Sequence, residues 1–252
     1  MKNIIILLFL GTMFFGCTKD WGAPTTKNYS IDGPYTGLDV SSAFHVTMSD
    51  QVNDVVVTVG ELAHDRVVVK VKDGTLYIGF KPHPRYNGEA MAVIPLSVLR
   101  DLDLSGASSF TGDLSGEEVD VDLSGASGFK GNVVANDLDM DLSGASSYNG
   151  DILVNKFDVD LSGASVAFVN GSCRNTMELE LSGASQLKAL TLDAPVVRGS
   201  MSGASQADVT CCTSLNVELS GASELTYGII SDDCKPVVNC PASGGSTVRP
   251  RF

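Results

Sequence analysis

Basic residues and histidines are scarce in this chain of 252 residues. It has 17 lysines and arginines against 30 aspartates and glutamates, which gives a formal net charge of −13 at pH 7. Because proteins bind phosphate backbones mainly through Lys and Arg, this balance disfavours nucleic acid as a partner. The sequence has no Gly-x-Ser-x-Gly motif, and His45, His64 and His83 lack metal-ligand partners at useful spacing. We therefore expect no catalytic site.

An apolar run at the amino terminus, Ile4 to Phe15, is too short to span a bilayer. With Gly16 and Cys17 at its end, it predicts a signal peptide over residues 1–16. A Cys after a small residue at this place resembles the cleavage box of bacterial lipoproteins, which implies a lipid on Cys17. We therefore predict an exported protein anchored in the outer membrane. An ordinary cleaved signal that leaves Cys17 as a free thiol is the alternative.

Two regions of different composition lie between the signal peptide and residue 101. Residues 17–34 are polar and broken by Gly and Pro, so we predict a lipid anchor and tether. Residues 35–100 are rich in Val and Ile and predict an N-terminal β region that caps the rest of the fold. Its expected strands are Leu38–Met48, Val55–Val59, Val67–Val71, Thr75–Phe80 and Met91–Ile94. Asp73-Gly74 between two of them predicts an antiparallel hairpin.

The remaining residues, 101–252, are dominated by one repeated motif, Ser-Gly-Ala-Ser. Its first serine recurs every 18 to 20 residues, at Ser105, Ser124, Ser143, Ser162, Ser182, Ser202 and Ser220. Before each copy, aliphatic and acidic residues alternate, as in Val119–Leu123, which indicates a strand with one buried face. A short constant period of such strands predicts an all-β fold, a parallel β-helix of about seven coils with a C-terminal cap.

Several segments resemble the auto-transporter adhesin family with a head GIN domain, over roughly residues 35–230. The resemblance lies in Leu38–Ser41, Phe44–Val46, Val67–Ile78, Ile94–Leu96 and Leu102–Ser108. It implies an exported, often lipid-anchored β-helical protein of Gram-negative bacteria without an established catalytic site.

Acidic residues fall at the same positions of successive repeats, so stacking would place them in two columns. The first column is Asp103, Asp122, Asp141, Asp160, Glu180 and Glu218, and the second is Asp101, Asp120, Asp139, Asp158 and Glu178. Arg198 and Ser200 interrupt them. Like charges one strand apart repel, which favours bound cations, raised carboxylate pKa values or screening by salt. Two interpretations stay open: a solvated face that keeps the rod soluble, and a weak calcium ladder.

Five cysteines follow Cys17: Cys173, Cys211, Cys212, Cys234 and Cys240. An odd number leaves one unpaired. Cys211 or Cys212 lies about one coil before Cys234, so a bridge between neighbouring coils is geometrically reasonable in an oxidising compartment. A bridge between Cys234 and Cys240 is the competing arrangement. Either bridge would hold the C-terminal end of the rod.

These observations favour an adhesin-like binding or structural module at the cell surface or in the periplasm, anchored to the membrane by lipid. Its ligand would be a glycan or a protein, and no cofactor other than calcium is indicated. The alternative is a calcium-assisted glycan-binding or polysaccharide-active protein that uses the acidic side of the β-helix.

Overall fold

The fold is a parallel β-solenoid of about eight turns in an almost entirely β chain. It was obtained as a computed structural model, which describes residues 21–81 and 86–251. Within those residues, no helix is long and apolar enough to cross a membrane. Cys17 and the signal sequence lie outside the described residues.

Seven strands and one short helix make up the N-terminal part of the chain. They are β1 (Pro24–Tyr29), β2 (Gly37–Val40), β3 (Phe44–Ser49), β4 (Val55–Gly60), a 3-10 helix (Glu61–Arg66), β5 (Val67–Lys72), β6 (Thr75–Phe80) and β7 (Ala90–Pro95).

Fourteen strands follow in the repeated part. They are β8 (Asp101–Leu104), β9 (Ser109–Thr111), β10 (Leu114–Leu123), β11 (Gly128–Lys130), β12 (Val133–Leu142), β13 (Ser147–Leu161), β14 (Val166–Leu181), β15 (Gln186–Asp193), β16 (Val196–Met201), β17 (Gln206–Cys211), β18 (Ser214–Leu219), β19 (Glu224–Ile229), β20 (Val237–Asn239) and β21 (Thr247–Pro250).

The strand before each Ser-Gly-Ala-Ser corner stacks in parallel on the same strand of the next coil. Val121 pairs with Leu102 on one side and with Met140 on the other, and each of these side chains is buried. Burying an aliphatic side chain of this size contributes about 1.5–3 kcal/mol relative to leaving it exposed. The alternate residues point outward, so we call this side of the rod the acidic face.

The strand after each corner forms a second side, whose interior holds a stack of aromatic rings. Phe110 lies 5.8 Å from Phe129, and Phe129 lies 5.1 Å from Tyr148, between ring centroids. Glycine is required two residues after each ring for more than one reason. A Cβ on Gly112 would lie 2.7 Å from the Phe110 ring, whereas a Cβ on Gly131 would overlap the carbonyl oxygen of Gly112. The close approach of neighbouring coils therefore matters as much as the room for the ring.

The corner between the two sides depends on glycine. Gly125 and Gly144 have φ values of 75° and 73°, in the left-handed region that disfavours a Cβ. A Cβ on Gly144 would also lie 2.5 Å from the carbonyl oxygen of Gly125. One residue later, the Ala126 amide donates to the Gly106 carbonyl at 2.7 Å, and this bond between coils recurs along the corner.

Residues 37–49 form an additional coil, which the sequence analysis assigned to the cap. β2 pairs in parallel with β8, and β3 pairs in parallel with β9. The predicted strand Leu38–Met48 is thus two strands with a corner between them, and the solenoid has about eight turns rather than seven. The corner was missed because Ser42 and Ala43 replace Gly-Ala, although their φ values are 67° and 63°.

Antiparallel strands close the N-terminal end, as a capping role requires. β5 and β6 form a hairpin in which Lys72 pairs with Thr75 across Asp73-Gly74, so the predicted hairpin is confirmed. β6 continues one sheet of the rod beyond β2, with β5 as its outermost strand. On the other sheet β7 pairs with β3, followed by β4 and then β1 at the edge.

The prediction that residues 17–34 are a tether is wrong for their described part. Trp21 is 5% exposed, packs against Tyr86 at 5.5 Å between ring centroids, and accepts a hydrogen bond from the Leu62 amide. Pro24–Tyr29 forms strand β1 against β4. Polarity misled the interpretation, because an edge strand needs only backbone pairing and one aromatic contact to be held.

The C-terminal end is held by a disulfide between Cys212 and Cys234, whose Cα atoms are 4.7 Å apart. Of the pairings that the sequence left open, this is the one present, and Cys173, Cys211 and Cys240 are free thiols. Gly244, with a φ of 69°, repeats the left-handed corner in a last degenerate copy, as its sequence suggests.

Candidate functional site

The acidic face gathers the carboxylates into two columns because the strands stack in register. Asp122 is the direct partner of Asp103 and Asp141, and Asp120 is the direct partner of Asp101 and Asp139. We call the two columns the corner column and the second column. The corner column contains Asp39, Asp103, Asp122, Asp141, Asp160 and Glu180, and the second column contains Asp101, Asp120, Asp139, Asp158 and Glu178.

Every acidic residue predicted for the ladder therefore lies on this face. Glu218 follows Ser200 further along the corner column, and Arg198 follows Glu178 in the second column. Asp39 was missed, although Leu38-Asp39-Val40 has the same alternation as Leu102-Asp103-Leu104. Its signal was hidden because no Gly-Ala pair follows it.

The second column is partly neutralised by basic side chains. The Lys156 Nζ lies 2.7 Å from the Asp158 Oδ2, and Arg198 donates to the Glu178 Oε2 from its Nη2 at 2.8 Å and its Nε at 3.1 Å. The hydrogen bond and the charge of Asp158 raise the pKa of Lys156. The sequence does not single out Lys156, because it lies two residues before Asp158 and pairs with Asp137, which belongs to neither column.

The corner column has no ion pair within residues 21–81 and 86–251. Partial burial, and then the negative charge of neighbouring carboxylates, raises the pKa of Asp103, Asp122 and Asp141. The pKa of Asp39 is also raised by partial burial, although the nearby Lys70 opposes the shift. These carboxylates consequently take up protons more readily than isolated ones.

A shallow depression of about 170 Å³ lies between the two columns, above Val121. Asp120, Asp122, Asp139 and Asp141 surround it. In the described part of the chain, no three acidic, histidine or cysteine side chains are arranged to hold one metal ion. The face thus offers many separate oxygens in a flat lattice, whereas calcium is bound most tightly by six to eight converging oxygens. The predicted calcium ladder stays a prediction.

A larger depression of about 350 Å³ opens near the C-terminal end, where the columns are interrupted. It is lined by Ser200, Met201, Ser202, Glu218, Leu219, Ser220, Pro241, Ala242 and Ser243. No sequence motif points to this depression, because it forms between the last full corners and the degenerate copy. Its mixed lining could accept hydroxyl groups and a small apolar surface.

The repeated serines divide into two groups with different roles. The second serine of each corner is buried, and at five of the seven corners its hydroxyl donates within the same corner, as from Ser127 to the Ser124 carbonyl at 2.6 Å. The first serine is half-buried or exposed, as at Ser124 and Ser143. Only the first serines can therefore contact a ligand.

The histidines do not form a catalytic group among the described residues. His45 is on the surface, with its Nδ1 2.7 Å from the Ser109 hydroxyl. His64 is 5% exposed rather than solvated, because it lies in the 3-10 helix and its Nε2 donates to the Thr25 carbonyl at 3.0 Å. Its Nδ1 lies 3.0 Å from the Tyr29 hydroxyl, so it fastens β1 to the helix. His83 lies outside the described residues.

Three solved structures share this fold at low sequence identity. A putative lipid binding protein from Parabacteroides distasonis is 19% identical, with a TM-score of 0.79, and the match covers 92% of this chain and 98% of that one. A putative adhesin from Parabacteroides merdae is 18% identical, with a TM-score of 0.75, over 92% and 97%. A putative adhesin from Parabacteroides distasonis is 21% identical, with a TM-score of 0.73, over 91% and 98%.

A comparison with curated proteins finds no match. In contrast, the family described as "Putative auto-transporter adhesin, head GIN domain" matches residues 34–228. This range includes the first coil, the capping hairpin and all seven intact corners. Because the match spans well over half of its length, the chain belongs to the head GIN domain family of auto-transporter adhesins.

Proposed function

We propose that the protein is an exported, lipid-anchored surface protein that acts as an adhesin-like binding module through its acidic face. The observation that carries this proposal is the corner column, which presents carboxylates on successive coils without an ion pair among the described residues. A solvated face would serve solubility without such strict register.

A lattice of this kind suits a repetitive ligand. Neighbouring strands of a sheet lie about 4.8 Å apart, so carboxylates recur at that spacing along the rod. Carboxylates accept hydrogen bonds from sugar hydroxyls and form strong bonds with Lys and Arg. A polymeric glycan or a basic protein segment could therefore engage several coils at once, and the weak contacts would add up through multivalency.

The test is binding by a protein whose corner column is neutralised. Asp122→Asn and Asp141→Asn together remove two charges from this column, and Glu117→Gln with Asp193→Asn removes two exposed charges elsewhere on the rod. On glycan arrays and in attachment to host cells, we expect the first variant to lose binding and the control to keep it. Equal binding by both variants would refute a role for the column.

Lipid anchoring and surface exposure are tested separately. Cys17→Ala should move the protein from the membrane fraction to the soluble fraction, and the intact mass of the wild-type protein should include the acyl chains. Protease shaving of whole cells should then digest the protein if it faces outward. Protection from protease would place it on the periplasmic side.

Calcium-assisted glycan binding is a second candidate, favoured by the raised pKa of Asp103, Asp122 and Asp141. A divalent cation would relieve the repulsion between neighbouring carboxylates, which adds to the effect of partial burial on these pKa values. The depression near Ser200 has a volume in the range of small-ligand sites. Calcium titrated into metal-free protein should release or absorb heat and raise Tm. The absence of both effects would remove this candidate.

A further inference from the structure

The N-terminal end of the rod carries an exposed leucine beside the first described residue of the chain. The 3-10 helix Glu61–Arg66 crosses this end, from β4 on one sheet to β5 at the edge of the other. Its Ala63 and His64 are buried beneath it, whereas Leu62 is 59% exposed on its outer side. Leu62 is thus an apolar side chain on the terminal surface of the solenoid.

The structure fixes this leucine close to Trp21. The Leu62 amide donates to the Trp21 carbonyl at 3.0 Å, and the Glu61 amide donates to the Ala23 carbonyl at 3.0 Å. Trp21 itself is buried. Trp21, the first described residue, therefore lies immediately next to the helix that closes the rod.

Only four residue steps separate Trp21 from Cys17. A fully extended chain spans at most about 3.6 Å per residue, so this connection cannot exceed about 14 Å. The linker is thus far shorter than the rod, whose eight turns at about 4.8 Å each extend roughly 40 Å. An anchor on Cys17 would hold the N-terminal end at the lipid surface.

Charge favours the same orientation. Residues 21–100 contain seven basic and eight acidic side chains, whereas residues 101–252 contain eight basic and 21 acidic side chains. A membrane with anionic headgroups repels the second region much more strongly than the first. The nearly neutral end can approach the headgroups, and the acidic rod is driven away from them.

We propose that the N-terminal end of the rod docks on the membrane that carries its own anchor, with Leu62 in the lipid interface and the C-terminal end pointing away. The proposal rests on the lipid anchor at Cys17 in the proposed function. It assigns the ligand-binding face to the side of an upright rod, so that the acidic columns run outward from the membrane. An apolar side chain at the interface adds to the hold of the acyl chains.

The experiment places a tryptophan at each end of the full-length, acylated protein in vesicles of phosphatidylethanolamine and phosphatidylglycerol. Leu62→Trp reports on the docked end, and Val237→Trp, at a position that is 71% exposed near the other end, is the matched control. Trp21 is the single native tryptophan and gives a constant background. Lipids brominated near the start of the acyl chain serve as quenchers, and intact mass spectrometry measures acylation.

We expect the added emission of Leu62→Trp to shift to the blue and to be quenched, and that of Val237→Trp to stay unquenched. Acylated protein without quenching at position 62, or with equal quenching at both positions, would overturn the docking and leave the anchor intact. Protein without acyl chains would refute the anchor and the docking together. Circular dichroism on both variants checks that they fold.

Discussion

Residues 101–252 carry a net charge of −13, whereas residues 21–100 carry a net charge of −1. The two regions share a continuous sheet and a continuous core, yet they are built differently. In the rod, each coil lies on a near-copy of itself, so every property of one repeat recurs along the stack. In the cap, antiparallel strands, a hairpin and a short helix bring unlike residues together.

Repetition therefore accumulates both stabilising and destabilising contacts along the rod. Leucines, rings and corner amides meet their equivalents in the next coil, but so do carboxylates. The cap reduces the second effect where it meets the rod, because Lys70 of β5 lies near Asp39 of the first coil and opposes the rise of its pKa.

A glycine-to-alanine pair separates the crowding of the rod from simple backbone strain. Gly144 in the rod and Gly74 in the hairpin have φ values of 73° and 81°. A Cβ on Gly74 has no heavy atom within 4 Å, whereas one on Gly144 meets the Gly125 carbonyl at 2.5 Å. We expect Gly74→Ala to lower the free energy of unfolding by about 1 kcal/mol from strain alone. Gly144→Ala should lower it by roughly 3–4 kcal/mol, because crowding adds to strain.

Urea unfolding followed by circular dichroism measures both values. Equal losses at the two positions would show that close stacking of the corners does not limit the rod.

The disulfide provides the second contrast, because the two ends of the solenoid are closed by different means. Replacing Cys212 and Cys234 together by Ser removes a cross-link that encloses a loop of 22 residues. The chain-entropy estimate for a loop of that size is about 3 kcal/mol. Because each coil contacts mainly its neighbours, we expect faster hydrogen exchange in the coils after Ser214 and unchanged exchange in the cap.

A reducing agent should reproduce this effect in the wild-type protein and have no further effect on the double variant. Equal acceleration of exchange in β5 and β6 would mean that the rod and the cap unfold as one unit.

The pH dependence of stability should belong to the rod. The folded-state pKa values of Asp103, Asp122 and Asp141 are raised, so protonation favours the folded state. Their stabilising effect is fully present below the unfolded value of about 4 and is lost as the pH rises through the raised values. We therefore expect the contribution of these groups to lower Tm as the pH increases from about 4 to 7.

Asp122→Asn with Asp141→Asn should flatten this dependence and raise the stability at pH 7. Each replacement should contribute only a few tenths of a kcal/mol, because the carboxylates are largely solvated and screened. Glu117→Gln with Asp193→Asn is the control for net charge. An identical rise in Tm for that pair would assign the effect to total charge rather than to the columns.

Repetition also decided how much could be predicted from the sequence. The period of 18 to 20 residues and the alternation in Val119–Leu123 were enough to predict the coils, their register and the acidic columns. Where the repeat is 20 residues long, the strand pairing shifts register at β-bulges near Val154 and Phe168. These bulges have no sequence signature of their own. Burial of Trp21 and the pairing of β1 depend on contacts with distant residues, so local composition could not reveal them.

The first corner, at Ser42 and Ala43, departs from the repeat. Ser42 occupies the place that glycine takes in the rod, with a φ of 67°. Ser42→Gly should remove about 1–2 kcal/mol of strain. It also increases the freedom of the unfolded chain and removes a weak hydrogen bond from the Phe80 amide at 3.5 Å. We expect a net gain of about 0.5 kcal/mol.

The neighbouring Ser41 provides the matched control, because its φ is not among the positive values. Ser41→Gly should lower the free energy of unfolding by roughly 0.5–1 kcal/mol, since it adds freedom to the unfolded chain without relieving strain. Urea unfolding measures both changes in the free energy of unfolding. Changes of opposite sign at the two positions would show that the first coil has the corner geometry of the rod without the glycine that the rod prefers there. A loss of stability at both positions would mean that the contacts of Ser42 with β6 outweigh its strain, and that this corner belongs to the cap.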